Sequence, residues 1–83
     1  MNILIMGKFE YIIRNPKILG GKPIINGTRI SVELILELIR SGGSVKDIVA
    51  AYPHLKEIWV EEAISYALFQ LKNDIVYEIP IAA

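Results

Sequence analysis

The amino-acid sequence predicts a mainly α-helical protein, a three-helix helix-turn-helix fold preceded by a short β-hairpin arm. Two observations lead to this prediction. Three amphipathic segments with recognisable start and stop residues follow one another after residue 31, joined by short connections that are typical of a helix-turn-helix. The stretch before them, GGKPIINGTRI, contains an Asn-Gly pair, which favours a hairpin turn.

The hairpin turn is expected at Ile25-Asn26-Gly27-Thr28. Both central residues of a type I′ turn need a positive φ, which Asn-Gly tolerates better than most pairs, so the flanking strands should be short and antiparallel. Residues 11–14 and 75–79 are further strand candidates, because they are rich in β-branched and aromatic residues.

The first two helices are bounded by capping signals. Ser31 can accept a hydrogen bond from a free amide at the start of the first helix, and Gly42 suits the left-handed residue after its end, which predicts a helix over about residues 32–41. Ser44 and Asp47 have the spacing of a capping box, so a second helix is expected to begin at residue 45. Pro53 disfavours the α conformation at the residue before it and should end this helix near residue 52.

The longest periodic segment predicts a third helix over about residues 57–72. Lys56 stands where a capping side chain is expected, so the start of this helix lacks the signal that marks the other two. Its apolar face has the spacing of one side of an α-helix and consists of Val60, Ala63, Ile64, Ala67, Leu68 and Leu71.

Length and composition indicate one small domain without covalent reinforcement. The chain has 83 residues and no cysteine, so neither a disulfide nor a thiolate metal site can supplement its core. We expect a single domain in which residues 1–30 form the arm, residues 31–73 the helical core and residues 74–83 a C-terminal strand or tail. No apolar run approaches the length of a membrane span and no secretory signal is recognisable, so a soluble, cytoplasmic protein is expected.

The apolar content is high for so small a protein. It reaches 53%, and the polar positions of the first helix are Glu33, Glu37 and Arg40, which leaves most of its circumference apolar. Two other helices and a hairpin are not expected to cover all of it, so a homodimer or an obligate protein partner is predicted. The interface candidates are apolar residues of the first helix and aromatic residues of the third: Val32, Leu34, Ile35, Leu36, Leu38, Ile39, Trp59, Tyr66 and Phe69.

The charges are divided unevenly along the chain. Residues 1–40 carry six basic and three acidic side chains, whereas residues 41–83 carry three basic and six acidic. Such asymmetry fits a basic arm that meets phosphates, and equally fits two halves that attract each other across a dimer. The basic candidates for nucleic-acid binding are Arg14, Lys17, Lys22, Arg29, Lys46 and Lys56.

The start of the third helix argues against DNA binding in the usual pose. In a helix-turn-helix, this helix presents its first residues to base edges in the major groove. Here they include Glu57, Glu61 and Glu62, which the phosphates would repel.

No catalytic constellation is recognisable. His54 is the only histidine and has no second ligand of its kind, and the Gly20-Gly21-Lys22-Pro23 sequence lacks the spacing of a phosphate-binding loop. The carboxylates of the third helix follow its solvated face, whereas a divalent-metal site needs acidic residues that converge from several elements. We therefore expect no enzymatic activity, no metal, no cofactor and no small-molecule substrate.

The order of these motifs resembles a known protein family. GGKPIINGTRI, RSGGSVKDIVAAYPHL and EEAISYAL are similar to the small antitoxin-like proteins of the DUF433 family, related to VapB-type antitoxins, and the similarity covers about residues 11–68. The resemblance implies a homeodomain-like trihelical fold, no enzymatic activity and a partner of the PIN-like ribonuclease type. By the same resemblance, Lys22 and Arg29 belong to the family's hairpin, Gly27 to its turn and Pro53 to the break between helices.

Three functional hypotheses follow. In the first, the protein is an antitoxin that neutralises a PIN-like ribonuclease toxin and also represses their shared promoter; its acidic third helix would occupy a basic RNA-binding groove. In the second, it is a dimeric helix-turn-helix regulator that binds promoter DNA through the basic hairpin. In the third, it is a structural oligomerisation module.

Overall fold

Three α-helices follow a two-stranded antiparallel β-sheet in the computed structural model, which describes residues 9–73. The strands are β1 (Ile12–Ile13) and β2 (Ile24–Ile25), and the helices are α1 (Val32–Arg40), α2 (Val45–Ala51) and α3 (Glu57–Asn73). The predicted fold class is confirmed. The strand predicted at residues 75–79 lies outside the described residues.

The β-sheet pairs β2 with a segment upstream of the predicted hairpin. In β1 and β2, Ile12 lies opposite Ile25 and Ile13 lies opposite Ile24. The stretch after the Asn-Gly turn contacts the other edge of β2 through the Ile25 amide, which donates to the Ile30 carbonyl at 2.9 Å. The backbone of β2 is therefore held at both edges, and the side chains of Ile24 and Ile25 are fully buried.

The Asn26-Gly27 turn differs from the predicted type I′. Gly27 has a φ of +85°, but Asn26 does not have the positive φ that a type I′ turn also requires. A positive φ at the third residue only, with the Thr28 amide bonded to the Ile25 carbonyl at 3.0 Å, is the pattern of a type II turn. The physical reason is the length of the loop. Ile24 bridges Ser31, and the Ile25 amide bonds to the Ile30 carbonyl, so the paired residues enclose residues 26–29. A type I′ hairpin encloses two residues only.

Capping hydrogen bonds set the starts of α1 and α2. Ser31 Oγ accepts from the Leu34 amide at 2.9 Å. The Ser44 hydroxyl accepts from the Asp47 amide at 3.1 Å and the Asp47 carboxylate accepts from the Ser44 amide at 2.9 Å, which completes the predicted capping box. The bounds of all three helices lie within one residue of the predicted ones.

The end of α1 is a Schellman motif built on two glycines. The Gly43 amide donates to the Leu38 carbonyl at 3.0 Å, and the Gly42 amide donates to the Ile39 carbonyl at 2.9 Å. Gly42 has a φ of +103°, a conformation that residues with a Cβ rarely adopt. The sharp end of α1 lets α2 begin only a few residues later.

The hydrophobic core lies where the three helices and the arm meet. Helix α3 contacts α1, α2 and both strands. No helix of the described part is long and apolar enough to cross a membrane. The buried cluster takes side chains from every element and from the connections between them: Ile12, Ile25, Ile30, Val32, Ile35, Ile48, Leu55, Val60 and Ala63.

We expect Gly42→Ala to lower the free energy of unfolding by about 1 kcal/mol, because a Cβ is disfavoured at this positive φ. The loss should come from the backbone only, since nothing lies within 4 Å of an added Cβ. Gly42→Asn should cost less, because asparagine tolerates the left-handed region better than alanine does. Chemical denaturation gives the order of the three proteins, and equal losses in both variants would contradict this explanation.

The capping box should make α2 sensitive to acid. The hydrogen bond from the Ser44 amide, and after it the one from the Ser44 side chain, lowers the pKa of Asp47. Because this pKa is lower in the folded state, the stabilisation is complete above the unfolded pKa of about 4 and is lost as the pH falls through the folded pKa. Denaturation followed by circular dichroism should show a larger acid-induced loss in the wild type than in Asp47→Asn. Parallel pH profiles would count against it.

Candidate interaction surface

Two of the six basic candidates for nucleic-acid binding are paired with carboxylates. Lys22 Nζ lies 2.7 Å from Glu33 Oε1, and Lys46 Nζ lies 3.2 Å from Glu57 Oε2. The hydrogen bond to Glu33, together with its negative charge, raises the pKa of Lys22. Both pairs are exposed and contribute little to stability, but each carboxylate reduces the positive potential that a phosphate would meet.

Two further basic candidates contact aromatic side chains. Lys56 Nζ lies 5.6 Å from the ring centre of Trp59, within the range of a cation–π interaction. Arg14 Nη2 donates to Tyr66 Oη at 3.5 Å.

Lys17 and Arg29 are the basic candidates without such contacts. Both are exposed, and within residues 9–73 neither has an ion-pair partner. Arg29 follows the turn that Thr28 holds: Thr28 Oγ1 donates to the Ile25 carbonyl at 2.7 Å and accepts from the Ile30 amide at 2.9 Å. Gly27 and Thr28 therefore have structural roles, whereas the Arg29 side chain is exposed.

The aromatic interface candidates of α3 pack against the arm of their own chain. The Phe9 ring lies 5.4 Å from Tyr66, nearly perpendicular to it, and 5.4 Å from Phe69. The Tyr11 ring lies 6.0 Å from Trp59. These rings are half-buried, so they attach the arm to α3 and only part of their surface is exposed.

Glu62 has a structural role that sequence reasoning missed. Its Oε2 accepts a hydrogen bond of 2.7 Å from the amide of Tyr11, and both residues are partly buried. The sequence predicts Glu62 among the acidic residues that α3 presents outward, but it faces the arm. No local signal could reveal this contact, because its partner is a backbone amide 51 residues away.

The interface candidates of α1 are mostly covered by their own chain. Val32 and Ile35 are buried, and Leu34, Leu38 and Ile39 are half-buried. Leu36 is 38% exposed. The apolar circumference of α1 is thus covered more completely than its sequence indicates.

The most exposed large apolar side chains of the described part lie on α3. Ile58 is 55% exposed and lies beside two exposed carboxylates, Glu57, its neighbour in sequence, and Glu61, about one helical turn further on; we call these three residues the acidic face. Leu68 and Leu71, near the other end of the helix, are 54% and 67% exposed. Sequence reasoning placed both leucines on the core face, because the periodicity of a helix does not show where its neighbours end.

An open cleft of about 290 Å³ lies between α1 and α2. The Ser41 hydroxyl donates to the Glu37 carbonyl at 2.9 Å, and the Asp47 carboxylate belongs to the capping box. Within residues 9–73, no three histidine or carboxylate side chains come together at a metal site. The cleft is lined by Leu38, Ser41, Gly43, Asp47, Ile48, Ala51 and Tyr52.

Comparison with known proteins assigns the family. The model of a family described as "Protein of unknown function (DUF433)" matches residues 12–67, which is more than half of the chain. The chain belongs to the DUF433 family. The DUF433 match includes the sheet, both capped helices and the acidic face, and it ends just before Leu68.

A relative of this DUF433 protein occurs in Sinorhizobium fredii. It is the uncharacterized protein y4eO, 34% identical over 58 residues, which are 70% of this chain and 26% of the relative. The chain thus spans about a quarter of the length of that relative. No solved structure matches the chain at a significant level.

The bond between Glu62 and the arm can be tested with two variants. Glu62→Ala should lower the free energy of unfolding by about 1 to 2 kcal/mol, because it leaves the partly buried Tyr11 amide without an acceptor. Glu62→Gln keeps a side-chain oxygen and should lose less. Hydrogen exchange at the Tyr11 amide should accelerate in Glu62→Ala, and unchanged exchange there would show that this bond does not hold the arm.

Proposed function

We propose that this DUF433 protein is a non-enzymatic antitoxin that binds a PIN-like ribonuclease through the acidic face of α3. The resemblance to antitoxin-like proteins supports the class of partner. The observation that carries the proposal is the acidic face itself, in which Glu57, Ile58 and Glu61 are all exposed.

The acidic face has the chemistry of a competitor for RNA. A groove that binds the RNA backbone is lined by basic side chains. Carboxylates that enter this groove repel the RNA phosphates, and their negative charge speeds association with the basic surface. Ile58 adds an exposed apolar side chain beside the carboxylates, and a few buried side chains supply most of the affinity of protein interfaces. Lys46, which pairs with Glu57, is 83% exposed at its side chain, so this weak ion pair can be exchanged for a partner's cation.

Repression of the promoter is a second activity that one observation favours. Arg29 is exposed beside a turn that Thr28 holds rigidly, and Lys17 is exposed in the same arm. Two such arms in a dimer would contact phosphates in adjacent half-sites. Both activities would take place in the cytoplasm, where the toxin and the promoter are found.

A ribonuclease assay tests the antitoxin proposal. The wild-type protein should inhibit RNA cleavage by the PIN-like ribonuclease encoded beside its gene, and Ile58→Arg should lose this inhibition, since it places a cation against a basic groove. Ala50→Arg puts the same charge on an exposed position of α2 and should inhibit like the wild type. The proposal fails if no such gene is present or if both variants inhibit equally.

A gel-shift assay on the upstream promoter tests the second activity. Arg29→Ala should weaken binding about uniformly across sequences and reduce its salt dependence, because a phosphate contact releases a counterion. Absence of a shift at low salt would remove promoter repression and leave the antitoxin proposal untouched.

A further inference from the structure

Helix α3 is longer than the elements that pack against it. Its 17 residues span about 25 Å, whereas the nine residues of α1 and the seven of α2 span about 14 Å and 10 Å. Accordingly, the buried residues of α3, Val60 and Ala63, lie in its first half. Its last turns extend past the core and keep Leu68 and Leu71 exposed.

The apolar residues of these last turns form a stripe. Ile64, Leu68 and Leu71 follow the spacing i, i+4, i+7, which places them on one line along the helix surface. Ile64 is half-buried and joins the stripe to the core, whereas the two leucines are more than half exposed. We call these three residues the α3 seam. Its narrow width is typical of a surface that packs against one other helix.

The charges beside the α3 seam indicate which helix fits it. Glu61 and Lys72 are three helical turns apart and therefore lie nearly in line, on the same flank of the seam. When two identical helices pack antiparallel about a twofold axis, equal flanks face each other, so Glu61 of each copy approaches Lys72 of the other. In a parallel pair, the flank that carries Glu61 and Lys72 would face the opposite flank of the partner helix, which adjoins the core. Glu61 and Lys72 would then not meet each other across the pair.

We propose that the α3 seam is the contact between two copies of this chain, packed antiparallel about a twofold axis near Leu68. Leu68 then faces its own copy, and Ile64 faces Leu71 of the partner helix. The two ion pairs between Glu61 and Lys72 are exposed, so they set the orientation more than the affinity. Glu61 is common to the acidic face and to the dimer contact, but Ile58 belongs to the acidic face only and Leu68 to the seam only. Variants of Ile58 therefore test ribonuclease binding, and variants of Leu68 test the homodimer.

Matched variants of the full chain test the seam by sedimentation velocity. The wild type should be a dimer at micromolar concentration. Leu68→Glu should raise the dissociation constant about a hundredfold, since it removes apolar contacts from both copies at the twofold axis. Ile58→Glu alters a side chain of nearly equal exposure, 55% against 54%, and should leave the dimer unchanged. Circular dichroism confirms that both variants keep their helices.

Cysteine cross-linking tests the twofold geometry, since the chain has no cysteine of its own. Under mild oxidation, Leu68→Cys should give a disulfide-linked dimer, because the two copies of this residue face each other. Ile58→Cys should stay monomeric on a non-reducing gel. Lys72→Glu should weaken the dimer in low salt, and the added change Glu61→Lys should restore it.

Three outcomes would overturn the proposal. A wild-type monomer at every concentration would mean that residues 74–83, another protein or solvent meets the seam in place of a second copy. A Leu68→Glu variant that dimerises like the wild type would place the contact elsewhere. Cross-linking of Leu36→Cys without cross-linking of Leu68→Cys would place it on α1.

Discussion

The attachment of the arm to α3 is the contact on which the rest of the described structure depends. It joins residues about fifty positions apart through the bond from the Tyr11 amide to Glu62, the aromatic pairs of Phe9 and the contact of Tyr11 with Trp59. Each aromatic pair is worth about 0.5 to 1.5 kcal/mol beyond the area it buries. These contacts hold β1 in place, and β1 in turn covers one edge of β2.

This attachment divides the surface of α3 among three neighbours. Val60 and Ala63 face the core, whereas Trp59, Tyr66 and Phe69 face the arm. The third part of the surface contacts α2 through the exposed ion pair of Glu57 with Lys46. It is otherwise mostly exposed within residues 9–73, and it carries both the acidic face and the exposed leucines. A small domain needs most of its apolar side chains for its own core. The apolar surface that it offers to partners is therefore the part of its long helix that no other element covers.

The charges of the two halves of the chain stay apart in the described fold. Acidic and basic residues balance over the whole chain, but the ion pair Lys22–Glu33 lies within the basic half and Lys46–Glu57 lies within the acidic half. These two pairs therefore do not cancel the asymmetry along the sequence. Positive charge persists at the arm, around Lys17 and Arg29, and negative charge persists on α3, so the two proposed activities use different ends of the chain.

The sequence by itself determined the elements whose causes are local. The helix bounds were predictable within one residue, because Ser31, Ser44 and Asp47 bond to amides three residues away and Gly42 acts through its own φ. Each of these interactions involves residues only a few positions apart, so a short window of sequence is enough to predict it.

Only the tertiary structure decided what depends on distant neighbours. The pairing of Ile25 with Ile30 settled the turn type, the Tyr11 amide settled the role of Glu62, and the lengths of α1 and α2 settled which leucines of α3 stay exposed. Helical periodicity specifies which side of a helix is apolar. Burial of a side chain also requires a second element that packs against the helix at the same position along its axis. The presence of that element is a property of the assembled fold, because it depends on where other elements end.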